Sequence, residues 1–73
     1  MNKLLITVKD NCQTYMARCN GKSASCTANP ETAAINVAKK VLPGYEFTLE
    51  PQPERRSNYF TYLATPVEVL HAG

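Results

Sequence analysis

The chain has 73 residues, with eight Lys and Arg against six Asp and Glu, so its formal net charge is only +2. A chain this short is expected to form one domain, residues 1–73, with no room for a second, and to bury only about 60% of the surface that it exposes when unfolded. We therefore do not expect a deep enclosed active site. The hydrophobic fraction of 44% indicates a globular protein, and the weak positive charge excludes an acidic DNA mimic but neither requires nor excludes a nucleic-acid partner.

Three strands are predicted before the first helix. In residues 3–9, apolar Leu4, Ile6 and Val8 alternate with polar side chains, which is the pattern of a half-buried strand. Residues 13–19 form a second strand, and Asn20-Gly21 predicts the type I′ turn of a two-residue hairpin. Counting back from this turn gives three cross-strand pairs on one face: Cys19 with Lys22, Ala17 with Ala24, and Tyr15 with Cys26.

The other face of this hairpin carries Met16, Arg18, Ser23 and Ser25. In a protein with a single sheet, a methionine on the side away from the helix stays uncovered. We therefore expect this face to be a contact surface or a dimer seam, with Met16 and Arg18 as candidate partner-binding residues and a homodimer as one expected state.

The next segment predicts a helix that begins at Asn29-Pro30-Glu31. Asparagine caps a helix, proline fits its first position, and glutamate complements the positive end of the helix dipole. The helix ends near Leu42 because Pro43-Gly44 follows. Its apolar positions form one stripe: Ala34, Val37, Ala38, Val41 and Leu42.

After the helix, residues 45–50 alternate between apolar and polar side chains and predict a fourth strand. Residues 51–58 contain two prolines and are expected to form a loop, and residues 59–64 form a fifth strand whose inward face the pattern does not assign. Pro66 is expected to end that strand, residues 67–70 to form a short edge strand or a docked tail, and residues 71–73 to be mobile.

The predicted element order is therefore β-β-β-α-β-β. It indicates an α+β fold in which a mostly antiparallel sheet of four to five strands carries one helix packed on one face.

Catalytic and metal-binding groups are sparse in this sequence. The only histidine, His71, is the third residue from the end of the sequence, and we expect neither enzyme activity, nor a cofactor, nor a metal site. Three cysteines, Cys12, Cys19 and Cys26, predict reduced thiols and are interpreted as small buried hydrophobes. Cys19 and Cys26 would lie roughly 13 Å apart along the hairpin, too far for a disulfide.

One loop combines charge with an aromatic ring. Arg55-Arg56 lies between prolines and Tyr59, and guanidinium groups beside a ring are typical of protein interfaces and of phosphate contacts. We therefore add Arg55, Arg56 and Tyr59 to the candidate partner-binding residues. The alternative is a solvated loop whose arginines only maintain solubility.

The apolar run Leu4-Leu5-Ile6 is far shorter than the roughly 20 residues of a membrane span or the core of a signal peptide. We expect a soluble, unexported, cytoplasmic protein with no membrane partner.

One set of residues on the hairpin and helix carries a resemblance: Tyr15-Met16-Ala17, Gly21-Lys22, Ala24, Thr27, Pro30-Glu31-Thr32-Ala33-Ala34 and Ala38. This set resembles the small type I anti-CRISPR proteins of bacteriophages and prophages. The resemblance implies a non-enzymatic inhibitor that docks on a subunit of a bacterial CRISPR–Cas surveillance complex, or on its nuclease, and blocks DNA recognition or cleavage. The near-neutral charge favours occlusion or locking of the target over DNA mimicry.

The hairpin followed by a helix is also similar to the later half of a double-stranded RNA-binding domain. That family places lysines at the start of the helix, whereas this helix starts with Asn29-Pro30-Glu31, which argues against RNA binding. A nucleic-acid-binding module and a structural or assembly subunit of a phage are the alternatives to an inhibitor.

Overall fold

Five antiparallel strands in one sheet and one helix make up the part of the chain that this computed structural model describes, residues 3–68. The elements are β1 (Leu4–Asp10), β2 (Tyr15–Cys19), β3 (Lys22–Cys26), α1 (Pro30–Val41), β4 (Tyr45–Gln52) and β5 (Tyr59–Glu68). The strand order β3-β2-β1-β5-β4 places β1 at the centre and makes β3 and β4 the edges. The predicted α+β fold and its element order are confirmed.

The hairpin of β2 and β3 has the predicted register. Asn20 and Gly21 both have positive φ, 50° and 78°, as a type I′ turn requires. The turn matches the twist of the two strands, so a purely local signal sets which side chains face the helix. The pairs are those expected: Cys19 with Lys22, Ala17 with Ala24, and Tyr15 with Cys26.

The helix begins as its cap predicts, because Oδ1 of Asn29 accepts a hydrogen bond of 2.7 Å from the backbone N–H of Thr32. Its buried side is wider than the predicted stripe and includes Ala33, which is fully buried. The facing strands β2 and β3 carry small residues here, and small side chains on both elements let the helix lie close to the sheet. The side chains packed between helix and sheet include Ile6, Val8, Ala17, Ala24, Ala34, Val37 and Ala38.

The inward face of β5, which the sequence pattern left unassigned, carries Tyr62 and Ala64. The Tyr62 hydroxyl donates a hydrogen bond of 3.1 Å to Oε1 of Glu31 in the first turn of α1. Burial, together with this carboxylate, raises the pKa of Tyr62 to about 12. This contact ties the start of the helix to the sheet.

Both proline expectations were wrong about strand ends. Pro51 lies within β4, opposite Tyr62, and Pro66 lies within β5, opposite Phe47. β4 is an edge strand, and among residues 3–68 the pairing of β5 with β1 extends no further than Ala64, so in the described sheet neither proline lies between two partner strands. The loop is accordingly shorter than predicted, residues 53–58.

Residues 67–70 were expected to form a separate short edge strand or a docked tail. This expectation was wrong for the two of these residues that the structure describes. Val67 and Glu68 continue β5 and pair with the start of β4. Residues 69 and 70, and residues 71–73, for which mobility was expected, lie outside the described residues.

The three cysteines are free thiols, and they differ in burial. Cys19 is buried, which raises the pKa of its thiol, and Cys26 packs partly buried against the core. The interpretation as a buried hydrophobe was wrong for Cys12, which is exposed in the loop after β1. There its φ of 70° and the bond from its backbone N–H to Oδ1 of Asp10, 2.9 Å long, serve a tight turn rather than packing.

Candidate functional site

The face of the sheet opposite α1 is not covered by any element of the described chain. We call it the open face. Successive side chains of a strand point to opposite faces of a sheet. The neighbours of buried residues in each strand therefore point to the open face. The members used below are Leu5, Thr7, Lys9, Met16, Arg18, Glu50, Tyr59 and Leu63.

A depression of about 300 Å³ lies on the open face. Strand register creates it, because Lys9 in the central strand lies opposite both Met16 in β2 and Tyr59 in β5. In the next row, Thr7 lies opposite Arg18. Three predicted partner-binding residues, Met16, Arg18 and Tyr59, therefore line one concave surface.

The loop between β4 and β5 organises one wall of this surface. Arg56 places its guanidinium carbon 3.8 Å from the centre of the Tyr59 ring, in a cation–π contact. The same guanidinium donates to the Glu54 carboxylate, from Nε at 3.2 Å and from Nη2 at 3.0 Å. Arg56 is therefore held between a carboxylate and a ring, and it fixes the orientation of Tyr59.

Glu54 is the acceptor that orders the loop. Besides the Arg56 side chain, its carboxylate accepts from the Arg56 backbone N–H at 3.0 Å and from the Thr61 hydroxyl at 2.9 Å. These hydrogen bonds, those from Arg56 first, lower the pKa of Glu54 from its ordinary 4.5 to about 2. Glu54 consequently stays charged, and the loop stays organised, across the physiological pH range.

Arg55 has a different environment from its neighbour. It is exposed, and within residues 3–68 its side chain makes no hydrogen bond or salt bridge. It lines a second concavity, of about 360 Å³ at the tip of the β4–β5 hairpin, together with Arg56 and Tyr59. The predicted residues therefore fall into two adjacent groups, Met16 with Arg18 and Arg55 with Arg56, which share Tyr59.

Several residues of this surface were not predicted from the sequence. Lys9 and Thr7 join the two groups, and Leu5 extends the open face toward the other end of β1 with 62% of its surface exposed. The alternation that identifies Leu4, Ile6 and Val8 as core residues also places their neighbours in β1 on the opposite face. Those neighbours are Leu5, Thr7 and Lys9. Only the pairing of β1 with both β2 and β5, however, brings them beside the predicted residues.

In the described part of the chain, no group of three or more His, Cys, Asp or Glu is placed to hold a metal ion. Among residues 3–67, no charged residue is buried, and the buried Tyr62 has its hydroxyl bonded to Glu31. No helix of these residues is long and apolar enough to cross a membrane. The chemistry that the open face presents is an aromatic ring, a thioether, exposed cations and the carboxylate of Glu50.

Comparison with family models, with curated proteins and with solved structures finds no match for this chain.

Proposed function

We propose that this protein is a non-enzymatic binding protein that docks the open face of its sheet on a larger protein. The observation that carries the proposal is the depression in which Tyr59, Met16 and Arg18 converge on an uncovered sheet. Tyrosine, methionine and arginine are enriched at protein interfaces, and tyrosine and arginine are frequent among the residues near the centre that supply most of the binding energy. Each is held on a strand, so little order has to be imposed on binding.

The specific form that we propose is a phage- or prophage-encoded anti-CRISPR inhibitor that acts in the cytoplasm of the bacterial host. Its support is the resemblance of the hairpin and helix to small type I anti-CRISPR proteins. A small rigid face of this kind suits occlusion or locking of a Cas protein or surveillance complex, which would block DNA recognition or cleavage. The net charge of +2 does not suit imitation of DNA.

The test combines phage plating on a CRISPR-immune host with purification of the tagged protein from that host. We expect the protein to restore plating and to retain a Cas subunit in stoichiometric amount. Met16→Glu should abolish both effects, because it places a negative charge in the lining of the depression. The matched control is Asn36→Glu, which adds the same charge on the exposed side of α1.

An unchanged plating efficiency together with no stoichiometric Cas partner would refute the anti-CRISPR form. Equal loss of activity in Met16→Glu and Asn36→Glu, with both variants folded, would refute the assignment of function to the open face.

A nucleic-acid-binding module is the second candidate, and one observation favours it. Tyr59 lies on the open face between cations, with Lys9 directly opposite and Arg56 on its ring. Single-stranded nucleic acids bind to such combinations of stacking ring and positive charge. Arg56 already covers one side of the ring, however, which reduces the surface available to a base.

Fluorescence anisotropy with single-stranded DNA and RNA tests this second candidate. A nucleic-acid module should lose affinity steeply as salt rises and should weaken when Arg55 and Arg56 are replaced by alanine. Binding that is absent or insensitive to salt would eliminate it.

A further inference from the structure

The charges of the open face are separated by strand. Arg18 on β2 and Lys9 on β1 make one half basic. On the other half, Arg56 is paired with Glu54, Arg55 lies in the loop beyond the strands, and Glu50 on the edge strand β4 leaves a negative charge on the sheet itself. Between them, Leu5 on β1 lies directly opposite Leu63 on β5. Leu5 is 62% exposed, which is unusual for a leucine at the centre of a sheet. The open face therefore has an apolar midline with opposite charges on its two sides.

The strand order gives this arrangement a symmetry. In the spatial strand order β2-β1-β5-β4, Arg18 lies on the first strand and Glu50 on the last. The line between β1 and β5 is therefore midway between these two residues. With strands about 4.8 Å apart, each of these two side chains lies roughly 7 Å from that line. A two-fold axis parallel to the strands, above this line, exchanges the two halves.

We infer that two copies of this chain pack their open faces together about this axis, with Arg18 of each copy facing Glu50 of the other. The same rotation places Leu5 of one copy over Leu63 of the second. Glu50 and Arg18 lie in neighbouring rows of the sheet, because Leu63 pairs with Glu50 and with Leu5 while Arg18 pairs with Thr7. An offset of one row, about 7 Å, is within reach of a long side chain.

The alternative two-fold arrangements fit less well. A two-fold axis perpendicular to the strands, in the plane between the sheets, would place the basic half on the basic half. Pairing of two β4 edges would bring together strands that carry Glu46, Glu50 and Pro51, and charges and proline on an edge oppose such pairing. Only the axis parallel to the strands brings the basic half of one face to the acidic half of the other.

The size of the face sets the strength of the association. The axis between β1 and β5 overlaps four strands, β2-β1-β5-β4, which at about 4.8 Å apart and about five residues long cover roughly 19 Å by 17 Å in projection. Two such faces give roughly 650 Å² in projection, which is below the roughly 1,200–2,000 Å² that stable specific complexes bury. We therefore expect a reversible dimer that dissociates on dilution, in which aligned sheets cross at about 30°.

The inference does not depend on the proposed function, because it concerns the purified protein alone. It has one consequence for that function. A partner that docks on the open face must displace the second copy, since both would cover Leu5, Arg18 and Tyr59.

The experiment is sedimentation equilibrium of the wild type and of two charge-reversal variants, Arg18→Glu and Glu50→Lys. We expect the average mass of the wild type to rise with concentration from one chain to two. Each variant alone should associate at least about tenfold more weakly, because like charges meet in both symmetry-related contacts. An equimolar mixture of the two variants should recover the dimer, because both contacts then join opposite charges.

Recovery in the mixture distinguishes a direct contact from damage to the fold, since two unfolded variants cannot restore each other. Asn36→Glu serves as the control for added charge and should associate like the wild type. A wild-type mass of one chain at every concentration would overturn the inference. Variants that dimerise normally, or a mixture that stays as weak as its components, would overturn the assigned contact.

Discussion

The two faces of the sheet are built from the same strands but differ in what their side chains do. On the covered face, Ile6, Val8 and Ala64 have no exposed surface and pack under α1. On the open face, Leu5 and Leu63 lie uncovered, and cations and carboxylates flank them. Since neighbouring residues of one strand point to opposite faces, alternation alone gives these strands one face that packs under the helix and one that stays uncovered in the described part of the chain.

The largest expected difference between the two faces is measured on adjacent residues of β1. Ile6→Ala removes a fully buried side chain and should reduce the free energy of unfolding by about 2–5 kcal/mol, whereas Leu5→Ala, at a position 62% exposed, should cost less than about 1 kcal/mol. Urea denaturation in dilute protein, where self-association does not contribute, gives both values. Similar losses in the two variants would contradict the division between a stabilising and a recognition face.

If Ile6→Ala proves too unstable to fold, Ile6→Val provides the same comparison on a smaller scale. Its expected cost is about 0.5–1.5 kcal/mol.

A second prediction concerns the contact that holds the helix to the covered face. Tyr62→Phe removes the hydrogen bond to Glu31 and should reduce the free energy of unfolding by about 1 kcal/mol at neutral pH. The pKa of Tyr62 is raised from 10 to about 12, so the tyrosine ionises more readily in the unfolded chain than in the folded one. The contribution of Tyr62 to the free energy of unfolding is therefore complete below pH 10 and is lost as the pH rises toward 12.

Unfolding measured against pH in the alkaline range tests this sign. Tyr62→Phe should flatten the decline in stability above pH 10, whereas Tyr59→Phe on the open face retains Tyr62 and should retain that part of the decline. An equal effect of the two substitutions would show that the Tyr62 contact does not distinguish the faces.

The smallest expected effect on stability belongs to the loop that borders the open face. The pKa of Glu54 is lowered from 4.5 to about 2, so its hydrogen bonds stabilise the fold above pH 4.5 and are lost as the pH falls toward 2. Glu54→Gln should remove this acid dependence and loosen Arg56 from Tyr59. The carboxyl and ring resonances in an NMR titration report both changes.

Glu46→Gln provides the control for this loop, because it removes a carboxylate from the same hairpin, one that pairs with Lys39 rather than with Arg56. A Glu54 carboxyl that titrates near 4.5 in the folded protein would show that the loop is not held as described.

Prediction of the fold from the sequence succeeded wherever the signal was local. The Asn20-Gly21 turn needs positive φ at both positions, and the Asn29 cap with Pro30 fits only the start of a helix. It failed at Pro51 and Pro66, because the effect of a proline on a strand depends on whether another strand lies beside its nitrogen. That neighbour is distant in the sequence.

The candidate partner-binding residues stay a prediction, but their placement in the fold could be predicted in part for the same reason. Met16 and Arg18 follow from counting back from the turn, and Tyr59 follows from its position beside Arg56. Their convergence on Lys9 could not be predicted, because it requires β1 to pair with β2 on one side and with β5 on the other.

The sequence by itself determined the type and order of the elements. It also determined the register of the β2–β3 hairpin and the face on which each residue of that hairpin lies. These properties depend on backbone preferences and alternation, which act over a few residues. Only the tertiary structure decided that β5 lies beside β1. This pairing brings Tyr59 to Met16 and Leu63 to Leu5, and it sets Arg18 and Glu50 on opposite sides of one line. It depends on burying the covered face of all five strands under a single helix, which is a property of the whole chain.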